Sequence, residues 1–233
     1  MARTLLFILL SVLTLSAQEN KKILFSEALS LNLDAYNTRV DDALAHDEFD
    51  FAKSLLDTLV KKHLQGSYID PLSFDRYSSD IASTEELEKP TIILTYASWC
   101  IPNEGEIPVL NKMAERYGDI VDFVVLFWDQ KKTVRKLAKQ FDTNIQIVYV
   151  DEVQNNHMQT VKLLKHALGM SLSFVIAADG EILDINRRPP NKMNLSENQI
   201  FNQNITFLTR QIAAINIDLN ININDLPESL ATY

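Results

Sequence analysis

The chain has 233 residues, of which 46% are hydrophobic and 23% charged, and its formal net charge is −9. That length allows one substantial core, and the composition is ordinary for a globular protein. The acidic excess disfavours a general binder of nucleic acid or anionic membranes, because phosphate contacts need clustered Lys and Arg. We therefore expect no nucleic-acid partner.

The amino terminus predicts a secretory signal over residues 1–17. Arg3 supplies the positive start, residues 5–15 are mostly apolar, and Ser16 and Ala17 are the small residues expected before a cleavage site. The apolar stretch is short for a permanent membrane-spanning helix, and an uncleaved anchor is the alternative. We expect cleavage after Ala17, no stable membrane insertion afterwards, and a periplasmic or secreted mature protein.

Residues 18–65 have a helical pattern and predict an amino-terminal helical region. Apolar residues recur there at helical spacing, at Leu44, Phe51, Leu55, Leu56, Leu59, Val60 and Leu64. The acidic residues between 41 and 50 are interpreted as a solvated face near a helix start. Gly66 ends this region.

Short apolar runs alternate with helical patterns from residue 66 onward. We predict strands over residues 91–96, 121–127, 145–150, 174–177 and 182–185. We predict helices over residues 103–117, 134–141, 158–168 and 197–215. Gly118 closes the first of these in a left-handed cap. The alternation predicts a three-layer α/β domain with a central mixed sheet over residues 66–215. The asparagine-rich tail, residues 216–233, is expected to be frayed or loosely docked.

Cys100 is the only cysteine, so no internal disulfide can form. In a secreted protein such a residue indicates a reactive thiol or an intermolecular bridge, and a buried cysteine acting as a small hydrophobe is the alternative. Cys100 follows Trp99 at a predicted junction of strand and helix start, where free N–H groups stabilise a thiolate. Trp99 is expected to shelter one side of the sulfur, and Pro102 suits the first helical turn.

No zinc-ligand spacing and no glycine-rich phosphate loop are present. We therefore predict neither a metal nor a cofactor. Glu106 follows Cys100 by nearly two helical turns, so it need not face the thiol, and a solvated helix acid is the favoured interpretation.

Several short segments between residues 64 and 215 carry a resemblance to a known family. They are residues 89–94 (KPTIIL), 97–100 (ASWC), Pro102, 106–108 (EIP), 173–176 (SFVI) and 179–182 (DGEI). Together they resemble the TlpA/ResA-like branch of the thioredoxin superfamily, the secreted thiol-disulfide oxidoreductases. The resemblance implies a thioredoxin-like fold preceded by a helical arm. It also implies a nucleophile at Cys100 with Trp99, Pro102 and Glu106 nearby.

Two positions depart from that family's pattern. Asn103 stands where the family has its resolving cysteine, so Cys100 would need an external thiol to release a mixed disulfide. Asn103 is interpreted as a helix cap, with an amide contact to the sulfur as the alternative. Ser171 stands where the family has a cis-proline facing the active cysteine. A non-proline cis bond costs about 3 kcal/mol, so we expect a trans peptide and an altered loop.

Three functions are compatible with this pattern. The favoured one is a monothiol redox protein that forms mixed disulfides with protein or small-molecule thiols, with an external thiol resolving them. The second is a non-catalytic thioredoxin-fold binding module. The third is a one-cysteine thiol peroxidase, in which Cys100 becomes a sulfenic acid. The sequence does not predict the oligomeric state.

Overall fold

The computed structural model describes residues 22–76, 81–100, 105–154, 156–189 and 195–215. Its helices are α1 (Phe25–Ala45), α2 (Phe49–Leu59), α3 (Glu106–Tyr117), α4 (Lys131–Leu137), α5 (Met158–Val161) and α6 (Glu197–Ala214). Its strands are β1 (Ser73–Arg76), β2 (Ile81–Ser83), β3 (Thr91–Tyr96), β4 (Asp122–Phe127), β5 (Ile145–Tyr149), β6 (Leu172–Ile176) and β7 (Ile182–Arg187). The predicted signal peptide and the asparagine-rich tail lie outside the described residues.

The strands form one mixed seven-stranded sheet in the order β2-β1-β5-β4-β3-β6-β7. β3, β4 and β5 are parallel to one another, whereas β6 is antiparallel to β3 and β1 is antiparallel to β5. The carboxyl ends of the three parallel strands therefore share one edge. With helices on both faces, this order and these directions confirm the predicted three-layer thioredoxin-like fold.

Each face of the sheet has its own apolar core. The α1-side core joins the two amino-terminal helices and the segment around α5 to the sheet, and it includes Phe25, Leu56, Leu64, Ile93, Leu164 and Phe174. The α3-side core joins α3 and α6 to the opposite face, and it includes Ile92, Leu94, Leu110, Phe123, Leu208 and Ile212. Neighbouring residues of β3 thus face opposite cores, as the alternation of a strand requires.

The amino-terminal region and the segment after it differ in detail from the predicted elements. The helical pattern is divided into α1 and α2 at residues 46–48, where Asp47 has a φ of 59°. Between the helical region and β3, the short strands β1 and β2 pair antiparallel, with Phe74 opposite Ala82. The sequence analysis does not predict these two strands, because four and three residues are too few for a visible alternation.

Gly118 ends α3, but the predicted left-handed cap is wrong. Its φ is −60°, which is right-handed helical backbone. A Cβ at this position would lie 2.6 Å from the carbonyl oxygen of Ala114. Gly118 is thus required for a close approach to the preceding turn rather than for a positive φ.

No helix within the described ranges is long and apolar enough to cross a membrane.

Candidate functional site

Cys100 lies four residues beyond the end of β3, at the sheet edge shared by the parallel strands. A tight turn brings it there, because its N–H donates to the Ala97 carbonyl over 2.9 Å. The residue is half-buried and its side chain packs against the α1-side core. One side of the Cys100 side chain is therefore covered by the α1-side core, and the residue remains partly exposed to solvent.

Asp129, just beyond the end of β4, fixes this turn. The Ser98 N–H donates to the Asp129 carboxylate over 2.7 Å, and the Ser98 hydroxyl donates to the other oxygen of that group. Trp99, next along the turn, is 68% exposed. Its indole thus lies largely in solvent, on the rim of the site.

The Ser171 side chain contacts the Cys100 sulfur. Its Oγ lies 3.2 Å from Cys100 Sγ, within hydrogen-bond distance. Every peptide bond in the described part of the chain is trans, and Ser171 has a φ of 63°. The loop before β6 is therefore trans, as predicted, and it is left-handed where the resembled family has its proline.

Two neighbouring strands hold the Ser171 loop. On one side, Thr95 Oγ1 accepts a hydrogen bond from the Leu172 N–H over 2.9 Å and donates to the Leu172 carbonyl over 3.2 Å. On the other side, the Arg188 N–H donates to the Ser171 carbonyl over 2.8 Å. These contacts fix the backbone on both sides of the hydroxyl that faces the thiol.

Glu106 is 4% exposed, so the predicted solvated helix acid is wrong. Its Oε1 accepts hydrogen bonds from the Tyr96 hydroxyl over 2.7 Å and from Arg188 Nη1 over 2.5 Å. Glu106 lies in the first turn of α3, which places its carboxylate beside the ends of β3 and β7. Its ion-pair partner, Arg188, is 82 residues away in sequence, so local sequence patterns do not predict this contact.

Tyr96, Glu106 and Arg188 form a buried cluster next to the thiol turn. The Arg188 guanidinium stacks on the Tyr96 ring at 3.8 Å from its centroid. Burial, and secondarily the charge of Glu106, raises the pKa of Tyr96 well above its ordinary value. The phenol is therefore a neutral hydrogen-bond donor at physiological pH.

Sequence reasoning did not identify Tyr96, Thr95 or Arg188 as site residues. Arg188 did carry one signal, since an arginine at the end of an apolar strand must find an anionic partner if the fold buries it. Pro102 and Asn103 lie outside the described residues. The described part of α3 begins at Glu106, with Gly105 as its cap residue.

No group of three or more His, Cys, Asp or Glu side chains placed to hold a metal ion occurs within the described ranges.

Among known proteins, only solved structures are found to be similar to this chain. No protein-family model and no curated protein matches the sequence. A secreted disulfide oxidoreductase of Mycobacterium tuberculosis is 14% identical, with a TM-score of 0.43 over 58% of this chain and 96% of that one. The thioredoxin domain of a Bacteroides vulgatus thiol-disulfide oxidoreductase is 13% identical, with a TM-score of 0.46 over 61% and 96%.

A peroxidoxin, BcpB of Mycobacterium tuberculosis, is similar to the same extent. It is 15% identical, with a TM-score of 0.47 over 67% of this chain and 98% of that one. The strand order and directions given above are those of a thioredoxin-like fold, so the protein belongs to that fold class.

Proposed function

We propose that the protein is a monothiol redox protein in which Cys100 forms mixed disulfides that an external thiol resolves. The observation that carries this proposal is the setting of Cys100, whose half-buried sulfur lies 3.2 Å from the Ser171 hydroxyl. A hydroxyl at that distance can donate to a thiolate and stabilise the nucleophilic form of the sulfur.

The proposed reaction is an exchange in two steps. The Cys100 thiolate attacks one sulfur of a partner disulfide, so the Cys100–partner S–S bond forms and the partner's own S–S bond breaks. The departing thiolate takes a proton from solvent. A second, external thiolate then attacks the partner sulfur, which regenerates the Cys100 thiolate and leaves the partner joined to the external thiol.

Cys100 is the only cysteine, so the chain offers no second thiol for internal resolution. We therefore expect the mixed disulfide to be long-lived until an external thiol arrives. The proposed partners are protein or small-molecule thiols and disulfides. The signal peptide predicted for residues 1–17 supports a periplasmic or secreted setting, where such disulfides persist.

The test is the mixed disulfide itself. Purified protein is incubated with glutathione disulfide, and we expect its intact mass to rise by one bound glutathione and to return after added dithiothreitol. The variant Cys100→Ser should show no adduct. The variant Asn103→Cys, which supplies a second thiol three residues on, should discharge the adduct without added thiol.

Other outcomes would overturn the proposal. If the folded protein forms no adduct while the urea-denatured chain does, the thiol is inert in the fold and the binding-module function is favoured. If the folded protein reacts with hydrogen peroxide to a trapped sulfenic acid but not with disulfides, the one-cysteine peroxidase is favoured.

A further inference from the structure

The segment that forms α4 is strongly basic in an otherwise acidic chain. Residues 131–139 (KKTVRKLAK) contain five of the chain's 22 Lys and Arg residues, and no Asp or Glu lies between Asp129 and Asp142. The whole chain has 31 Asp and Glu residues and a net charge of −9. The positive charge on α4 is therefore the opposite of what the overall composition provides.

Four cations of this segment lie on one side of the helix, and we call them the basic face. All four are exposed, and they recur every three or four residues, as neighbours on a helix surface do. They are Lys132, Arg135, Lys136 and, in the short helical turn directly after α4, Lys139. Val134 of the same helix is fully buried in the α3-side core, so the basic face points away from the core.

The basic face is not balanced by neighbouring carboxylates. Within the described ranges, none of its members forms an ion pair, whereas Lys53 and Lys112 each pair with a carboxylate on their own helix. Like charges three and four residues apart repel one another, so the basic face lowers the stability of α4 rather than raising it. Helix stability therefore does not account for these residues.

The first turn of α4 lies beside the turn that carries Cys100. Asp129, which accepts the Ser98 N–H over 2.7 Å and the Ser98 hydroxyl, is two residues before α4, and Ser98 is two residues before Cys100. Because α4 joins the parallel strands β4 and β5, it begins at the edge where those strands end and runs back toward the other edge. Of the basic face, Lys132 thus lies nearest to the thiol edge.

We propose that the basic face of α4 attracts acidic protein partners to Cys100, so that disulfides with several Asp or Glu residues nearby react fastest. This inference rests on the proposed function, in which Cys100 exchanges with a partner disulfide, and it adds the class of partner. Positive charge beside a reaction site raises the local concentration of an anionic partner and its rate of association. Disulfides occur in polypeptides rather than in nucleic acids or lipids, so an acidic polypeptide is the anionic partner that fits a thiol site.

The test measures how fast Cys100 forms a mixed disulfide with two synthetic peptides. Each peptide has one cysteine blocked as a 2-thiopyridyl disulfide, and the flanking residues are Glu in one peptide and Gln in the other. The Cys100 thiolate attacks the peptide sulfur, so the Cys100–peptide S–S bond forms and the bond to the 2-thiopyridyl group breaks. The departing thiolate takes a proton from solvent and gives 2-thiopyridone, whose absorbance is followed.

We expect wild type to react with the Glu peptide about tenfold faster than with the Gln peptide at low salt. The two rates should agree within about twofold at high salt, because the Debye length falls from about 30 Å at about 0.01 M to about 3 Å at about 1 M. Lys132→Gln/Lys136→Gln, which removes two charges of the basic face, should lower the low-salt rate with the Glu peptide about threefold or more. Its rate with the Gln peptide should equal that of wild type.

The matched control is Lys61→Gln/Lys62→Gln, which removes two exposed lysines from the segment before Gly66. The Gly66 N–H donates to the carbonyl of Ile182, which pairs with the residue opposite Thr91, at the start of β3. These two lysines therefore belong to the sheet edge opposite to the thiol, and we expect wild-type rates with both peptides.

Three results would overturn the inference. One is an equal low-salt rate with the two peptides. Another is an equal loss in Lys61→Gln/Lys62→Gln, because net charge rather than the basic face would then set the rate. The third is binding to phosphatidylglycerol vesicles or to single-stranded RNA that Lys132→Gln/Lys136→Gln abolishes, without a preference for the Glu peptide, since the partner would then be a lipid surface or a nucleic acid.

The variant Cys100→Ser tests the surface without the reaction. We expect it to bind a fluorescein-labelled Glu peptide that lacks cysteine about fivefold more tightly than the matching Gln peptide at low salt, and adding Lys132→Gln/Lys136→Gln should reduce that difference. A wild-type protein that reacts with neither peptide, with this binding preference in Cys100→Ser, would overturn the proposed function and support the partner class. A wild-type protein that reacts equally fast with both peptides would do the reverse.

Discussion

Ser171 combines an unusual backbone conformation with a side chain that contacts the thiol. Its φ of 63° lies in the left-handed region, which costs a non-glycine residue roughly 1 kcal/mol. The hydrogen bonds that join this loop to Thr95 and Arg188 maintain that conformation. Backbone strain that neighbouring strands hold in place, beside the proposed nucleophile, is typical of a functional site.

The conformation of Ser171 predicts that the proline of the resembled family cannot be restored there. We expect Ser171→Pro to destabilise the fold by about 3 kcal/mol or more, because proline fixes φ near −65°. We expect Ser171→Gly to change stability by less than about 1 kcal/mol, since glycine accepts a positive φ. Urea unfolding monitored by tryptophan fluorescence measures both.

Ser171→Ala separates the loss of the hydroxyl from the backbone effect, because alanine keeps a Cβ but has no Oγ. A Ser171→Pro variant as stable as wild type would show that the loop adopts a different backbone conformation from the one described here.

At the scale of elements, the start of α1 depends on a residue outside its own helix. The residue before α1 is Leu24, which offers no side-chain cap. Instead, the buried Asp70, in the segment before β1, caps the helix. Its carboxylate accepts hydrogen bonds from the Ser26 N–H over 2.8 Å and from the Ser26 hydroxyl over 2.5 Å. Its carboxylate satisfies a free donor of the first turn and complements the helix dipole.

This capping predicts a stability effect at Asp70. We expect Asp70→Ala to lower the free energy of unfolding by about 2 kcal/mol, because it removes a helix cap and leaves the half-buried Ser26 donors without their partner. Asp50 is the matched control, since it lies in the first turn of α2 but is exposed, and Asp50→Ala should cost less than about 0.5 kcal/mol. Equal effects of the two variants in urea unfolding would contradict a capping role for Asp70.

The sequence predicts best those helices and strands in which apolar residues recur with a clear period. Strand β3 is entirely buried and coincides with its predicted range, and α6 differs from its predicted range by one residue at its end. Strand β1 was not predicted, because Ser73–Arg76 is short and polar and its pairing with β5 is a long-range contact. Pairing partners distant in sequence stabilise such strands, so local patterns contain little of the signal.

At the scale of the molecule, the amino-terminal helices supply a large part of one of the two layers that cover the sheet, together with the segment around α5. Phe25 of α1 makes an edge-on contact with Phe174 of β6, with ring centroids 6.2 Å apart, and both rings are fully buried. Leu56 and Leu64 extend the same α1-side core. Without these helices, the sheet would present a continuous apolar face to water.

Burial of these helices predicts the outcome of a truncation. We expect a chain that begins at residue 66 to lose cooperative unfolding and to bind the dye 1-anilinonaphthalene-8-sulfonate, because one sheet face would be uncovered. A cooperative urea transition with an unchanged midpoint would show instead that residues 66–215 form an independent domain. A chain that begins at residue 22 serves as the control.

The sequence by itself determined the fold class, the position of Cys100 at the end of a buried strand and the lack of a second cysteine. Apolar periodicity and the ASWC segment are local properties, so they can be recognised in a single amino-acid sequence. The resemblance places Ser171 opposite Cys100, but only the tertiary structure decided that its hydroxyl lies within hydrogen-bond distance of the sulfur. It alone also decided that Glu106 is buried and that Arg188 is the partner of Glu106. Those contacts join residues more than 70 positions apart, and only the strand order of the sheet brings them to one edge.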